Sequence, residues 1–242
     1  MKDFFLRNFN KIAVPAGFRL NPDDVGSNPV KMLRKLTDRL QISLFLDVGA
    51  NAGQSAKKFI NAGFRGRIFS FEPVPEAFGK LARRTTAFPD WKAFPVAIGD
   101  HNGQVDVHVA GNIESSSVLP MLERHRTAAP GSAEINLVKA ELRRLDSYLD
   151  EGLILAEDRI FLKIDVQGFE MQALAGSTGI LAQVKILQME LSLVPLYEGG
   201  LLFEEVAAHL KGLGFSLFTL LPGFADPVSG QLLQMDGVFI RE

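Results

Sequence analysis

The chain has 242 residues and a mass of 26.6 kDa, a length at which one α/β domain buries roughly 70% of its extended surface. Apolar residues make up 47% and charged residues 22%, which excludes a mainly disordered chain. The 26 basic and 28 acidic side chains leave a net charge of −2, so no global electrostatic case exists for a nucleic-acid partner.

Cysteine is absent, which removes a disulfide framework, a thiolate zinc site and a cysteine nucleophile and accords with a reducing, cytoplasmic setting. The N-terminus breaks Phe4, Phe5, Leu6, Phe9 and Ile12 with charged and amide residues, unlike the apolar core of a signal peptide. No stretch approaches the ~20 apolar residues of a transmembrane segment.

In chain order, residues 1–28 read as a leader that docks on the core, ending in the loop Asn21 to Pro29. Asn28 then caps a helix to about Leu40, with Met32, Leu33, Leu36 and Leu40 on one face. Alternation follows. Strands are predicted at 42–48, 67–72, 91–98, 159–166 and 184–190, and helices at 52–62, 75–86, 169–181 and 202–213. Short apolar strands separated by helices imply βαβ units and a mostly parallel sheet with helices on both faces. The last two strands, 215–221 and 235–240, are joined by a Pro/Gly loop too short for a crossover helix, which predicts a C-terminal antiparallel hairpin. One insertion breaks the rhythm: a turn at 100–103, a strand through Val105, Val107 and Val109, and a long serine- and proline-containing loop over 110–134. A loop of that length in a compact domain is usually functional, and it is read as an acceptor lid. The chain divides into 1–41, leader and packing helix, and 42–242, the catalytic domain.

The most informative segment runs from Leu44 to Ser55: an apolar strand, a carboxylate at Asp47, a turn through Gly49, Asn51 and Gly53, and a new helix. Such a turn places backbone N–H groups at the carboxyl edge of the sheet, where open α/β folds bind ligands. A dinucleotide fingerprint would need glycines at 51 and 54, which hold Asn51 and Gln54, and the phosphate-loop pattern is also missing. The next strand ends in Glu72 and Pro73, where a carboxylate accepts both ribose hydroxyls. Glu72 alone fits NAD as well as S-adenosyl-L-methionine. The failed glycine pattern, and a carboxylate facing a cationic ligand, favour S-adenosylmethionine. Ala97 and Ile98, ending the third strand, are placed beside the adenine, and Asp100 is assigned to the turn.

Two later strands deliver Asp165 and Glu190 to the same edge. Paired carboxylates in one crevice suit acid/base chemistry, because burial and repulsion raise one pKa. The pair is also a candidate Mg²⁺ site, although no third ligand is evident. Glu170 is read as capping its own helix, and Lys163 as pairing with a carboxylate. Of the four histidines, His125 in the long loop is within reach of a substrate, and none has metal-ligand spacing.

D-V-G-A-N-A-G-Q-S at 47–55, F-E-P-V-P at 71–75, A-I-G-D at 97–100, the serines 115–117, R-L-D-S-Y at 144–148, K-I-D-V-Q-G-F-E at 163–170, E-L-S at 190–192 and P-L-Y-E-G at 195–199 together resemble the FkbM-type family of S-adenosylmethionine-dependent methyltransferases. Gln167 stands where that family often has Glu. The resemblance implies a Rossmann-like class I methyltransferase fold and O-methylation of a hydroxyl on a sugar, glycan or secondary metabolite. It carries over Asp47, Gly49, Asn51 and Glu72 as cofactor contacts, and Asp165 and Glu190 as active-site groups. An NAD-type oxidoreductase and a non-catalytic binding module of the same fold stand as alternatives. An oligomer is compatible with the sequence.

Overall fold

The computed structural model describes residues 28–242, so the leader reading lies outside the described residues apart from its last residue, Asn28. Helix α1 (Pro29–Arg39) begins as the sequence dictates. The Asn28 side chain accepts the Lys31 N–H at 3.1 Å, and Pro29 occupies the first turn, where its missing N–H costs nothing.

The central sheet has seven strands in the order β3-β2-β1-β7-β8-β10-β9. Strands β1 (Leu44–Val48), β2 (Arg67–Phe71), β3 (Trp91–Phe94), β7 (Ile160–Ile164) and β8 (Val184–Ser192) run parallel. Strands β9 (Ser216–Pro222) and β10 (Gln234–Ile240) form the predicted hairpin, with β10 antiparallel to β8. The strand order reverses between β1 and β7, so a crevice opens beyond their carboxyl ends.

Period-2 alternation assigns each strand residue to a face. Leu44, Leu46, Leu162, Ile164 and Leu187 point to one side, covered by α5 (Asp146–Asp150), α6 (Glu170–Ala175) and α7 (Phe203–Gly212). Phe45, Ile68, Phe161 and Ile186 point to the other, covered by α1, α2 (Gln54–Asn61) and α3 (Pro75–Thr85). The chain thus has the doubly wound, Rossmann-like architecture that the sequence predicts.

Four elements depart from the sequence reading, the 110–134 segment among them. The third strand is two: β3 ends at Phe94, Pro95 donates no hydrogen bond, and β4 (Val96–Ile98) leaves for a second sheet of order β4-β6-β5. That sheet's β5 (Gly103–Ala110) matches the alternating valines. Its β6 (Glu134–Arg143) escapes sequence patterning because Ile135 and Leu137 are exposed, so the apolar positions do not mark one buried face. The helix predicted at 169–181 stops at Ala175, because Gly176 packs against the Gly99 carbonyl and the chain must turn there.

Residues 110–134 are not an open loop. They contain the helix α4 (Glu123–Ala128) and two short 3₁₀ turns, and are pinned by bridges from Ser117 to His108 and from Met121 to Tyr197. The segment forms a fixed roof above the crevice.

Candidate active site

A cavity of about 450 Å³ lies over the carboxyl ends of β1, β2, β7 and β8, beneath the roof. Of the residues expected at a cofactor, Gly49, Asn51, Ser55, Glu72, Pro73, Ala97 and Ile98 line it. Asp47 and Gly53 are not among its lining residues. Asp47 is fully buried under the turn, with Ser70 Oγ donating to its Oδ2 at 3.4 Å and Oδ1 left without a partner.

The turn is built for close approach. Gly49 has φ +77°, and a Cβ there would collide with the Asp165 carbonyl oxygen, so no other residue fits. Asn51 follows at φ +48°, in the left-handed region that Asn tolerates. Its N–H donates to Glu72 Oε2 at 2.7 Å, while the Val74 N–H donates to Glu72 Oε1 at 2.9 Å. Glu72 therefore joins the β1 turn to the end of β2. These features fit S-adenosylmethionine: a glycine turn open to a ligand, and beside it a buried carboxylate suited to two hydroxyl donors.

Across the cavity Asp165 and Glu190 come together as the sequence predicts, through Gln167, whose bridging role it did not foresee. Gln167 Nε2 donates to Asp165 Oδ1 at 3.1 Å and to Glu190 Oε2 at 2.7 Å, and Gln167 Oε1 accepts the Tyr197 hydroxyl at 2.7 Å. Burial, reinforced by the nearby carboxylates, holds the Tyr197 hydroxyl well above the usual tyrosine range, so it remains a donor. Gln167 adopts φ +57°, a conformation that persists only where surroundings impose it. Here Ser117 Oγ donates to its carbonyl at 2.7 Å. Gln234 Nε2, from β10, adds a second amide to Glu190 Oε2 at 2.8 Å. Both amides thus fall on one oxygen of Glu190. Gln234 is distant in sequence and carries no local signal; Tyr197 lies in a motif whose role spacing alone does not disclose.

The two carboxylates differ in kind. Asp165 has both oxygens engaged, Oδ2 by the Lys163 ammonium at 2.8 Å. Burial and repulsion from Asp165 and Glu170 push Glu190 well above the usual carboxylate range. Lys163 lies opposite Asp47 in the β1–β7 register. Burial works against its charge, but Asp165, Asp47 and Asp236 outweigh it and raise its pKa. Glu170, as predicted, closes its own turn by accepting the Val166 and Gly168 N–H groups, each at 3.1 Å. Asp100 pairs with its neighbour His101 at 2.7 Å, as a turn residue.

Burial raises Asp47 to about 6, and Glu72 and Glu170 each to about 7. A carboxyl whose folded pKa exceeds its unfolded value binds its proton more tightly in the folded state. Its stabilisation is full below the unfolded pKa and is lost as pH rises through the folded one. His125, lowered to about 4 by burial, opposes this below about pH 6.5, one group against three. The urea midpoint of the ligand-free protein is therefore expected to be higher near pH 5.5 than near pH 8. A midpoint that falls on this acidification would contradict the burial of these carboxyls.

Comparison with known proteins bears on this geometry. The family model described as the methyltransferase FkbM domain matches residues 47–217. The chain is 28% identical over 196 residues to the 2-O-methyltransferase NoeI of Sinorhizobium fredii (strain NBRC 101917 / NGR234), with 78% of each chain covered. It is 25% identical over 145 residues to the hexuronic acid methyltransferase AglP of Haloferax volcanii, covering 60% of this chain and about half, 54%, of that one. Among solved structures, methyltransferase FkbM from Methylobacillus flagellatus KT is similar with a TM-score of 0.48 at 15% identity, covering 81% of this chain and 43% of that chain.

Proposed function

This chain belongs to the FkbM methyltransferase family, and on that premise we propose that it methylates a hydroxyl of a sugar, glycan or related secondary metabolite, with S-adenosylmethionine as donor. Family membership sets aside the oxidoreductase and binding-module alternatives. The observation that carries the reading is that one cavity joins the Gly49 turn and Glu72 to Glu190, so a nucleoside cradle and a candidate base share one space. A sugar hydroxyl is supported by the names of two relatives, one a 2-O-methyltransferase and one a hexuronic acid methyltransferase.

The residues divide the work as follows. Gly49, Asn51 and Ser55 border the cofactor, Glu72 takes the ribose hydroxyls, and Pro73, Ala97 and Ile98 flank the adenine. Asp47 and Gly53 shape the turn from behind. S-adenosylmethionine, when bound, supplies an already activated methyl group, so the chain's tasks are alignment and proton removal. Alignment of donor and acceptor can contribute ~7–11 kcal/mol. Glu190 receives the hydroxyl proton on Oε1, the oxygen that neither amide engages. Asp165, fixed by Lys163 and Gln167, orients the acceptor, and the 110–134 roof covers it as a standing cap. The Lys163 ammonium already supplies positive charge at Asp165, which disfavours a Mg²⁺ shared with Glu190, and no cluster of three metal-ligating side chains exists among the described residues.

No helix among the described residues is long and apolar enough to cross a membrane, and the absence of cysteine accords with a cytoplasmic protein. The test has two stages. Calorimetry should register binding of S-adenosylhomocysteine and none of NAD. Labelled methyl groups transferred into a fractionated extract should then be recovered as O-methyl sugars. Label recovered only in nucleic acid or protein would refute the reading.

A further inference from the structure

The half of the cavity away from Glu72 contains carboxylates and neutral groups but no available cation. Asp165 and Glu190 line it, with Gln167 and Gln234 as neutral donors. Among the described lining residues the cations are Lys163 and Lys58. Lys163 is committed to Asp165, and Lys58 sits on α2 beside the cofactor turn. The arginines nearest the roof are engaged elsewhere. Arg124 donates to Gln231 Oε1 at 2.7 Å, and Arg126 to Glu123 at 3.0 Å and the Met121 carbonyl at 2.9 Å. Recognition of an anionic sugar calls for a charge-assisted donor, typically a forked arginine, and none of these described groups supplies one.

The same wall offers an aromatic platform. The buried His125 ring stacks on Phe224, with centroids 5.2 Å apart at 30°, and meets Tyr197 edge-on at 5.2 Å and 73°. Its Nδ1 is buried without a partner. Burial lowers the ring to about 4, so it is neutral near pH 7 and adds no positive charge. Phe224 and His125 both line the cavity, the half-buried Phe224 backed by the buried His125 ring, giving an uncharged wall of the kind that packs against a ligand ring.

We propose that this half of the cavity accepts an uncharged glycosyl ring against the His125–Phe224 wall and rejects hexuronates, whose carboxylate would meet the Glu190 carboxylate, with the one nearby ammonium, Lys163, already committed to Asp165. The inference rests on the proposed function, and it separates this chain from a relative named for hexuronic acid.

The test measures methyl transfer from S-adenosylmethionine, by the full chain, to matched pairs of methyl hexopyranosides and methyl hexuronopyranosides of gluco, galacto and manno configuration. Like-charge juxtaposition is strongly disfavoured, so kcat/KM for the neutral member is expected to exceed that of its uronate by about tenfold or more in each pair that reacts. Equal or better use of the uronates overturns the inference. So does transfer to none of the six glycosides by protein that binds S-adenosylhomocysteine. Failure to bind S-adenosylhomocysteine overturns the proposed function instead, so the two failures are distinguishable.

Discussion

Glu190→Gln is expected to lower kcat by about 10²–10⁴-fold, the range that a positioned general base supplies, while S-adenosylhomocysteine affinity stays unchanged. The substitution is nearly isosteric. The new side-chain carbonyl can occupy the Oε2 position and accept the Gln167 and Gln234 amides, which lie 2.7 and 2.8 Å away in the native protein. What disappears is the ability to take a proton. The acidic limb of the native pH–rate profile should sit above the usual carboxylate range, because burial and the Asp165 charge raise the Glu190 pKa. That limb should vanish in the variant. Near-native kcat in E190Q, with the limb intact, would remove Glu190 from the chemistry.

Lys163→Met is expected to have the largest effect on stability. One buried ammonium serves Asp165 directly and raises its own pKa through Asp47 and Asp236 as well. Removing it leaves Asp165, Asp47 and Asp236 with no cation among them. Breaking a buried pair by deleting one partner costs about 3–5 kcal/mol, which for a chain of this size lowers Tm by roughly 10 °C. The deficit should be smaller near pH 5 than near pH 8, since protonation relieves the uncompensated carboxylates. A Tm within a few degrees of native at both values would mean that water already screens these charges.

The parts legible in the sequence are those built from local pattern. The strand–turn–helix at Leu44 to Ser55 could be read because a glycine turn after an apolar run has few solutions, and the strand ending in Glu72 because Ile68, Phe69 and Phe71 make a short apolar run. Asp165 and Glu190 were legible as two strand ends on one edge. The misses depend on contacts distant in sequence. Gln167 bridges the two carboxylates only because Tyr197 and Ser117 hold it in a left-handed conformation, and Gln234 arrives from the last strand. Strand β6 carries exposed Ile135 and Leu137, so hydrophobicity misreports its inward face. Asp47 ends the right strand, but the turn folds over it and places it outside the cavity lining.

Pro95 separates two structural units with separate histories open to them. On one side lies the seven-stranded platform carrying the nucleoside cradle. On the other is a small sheet whose Val107, Val109 and Ala140 pack in one apolar cluster with Val74 and Ala77 of the platform, and whose β5 and β6 flank the roof segment. Because β4 brings Ala97 and Ile98 to the cavity, the substitutions that leave the donor's berth undisturbed are those on β5, β6 and the roof. Homologous enzymes can therefore diverge in the alcohols they modify while inheriting one unaltered methyl-supply platform.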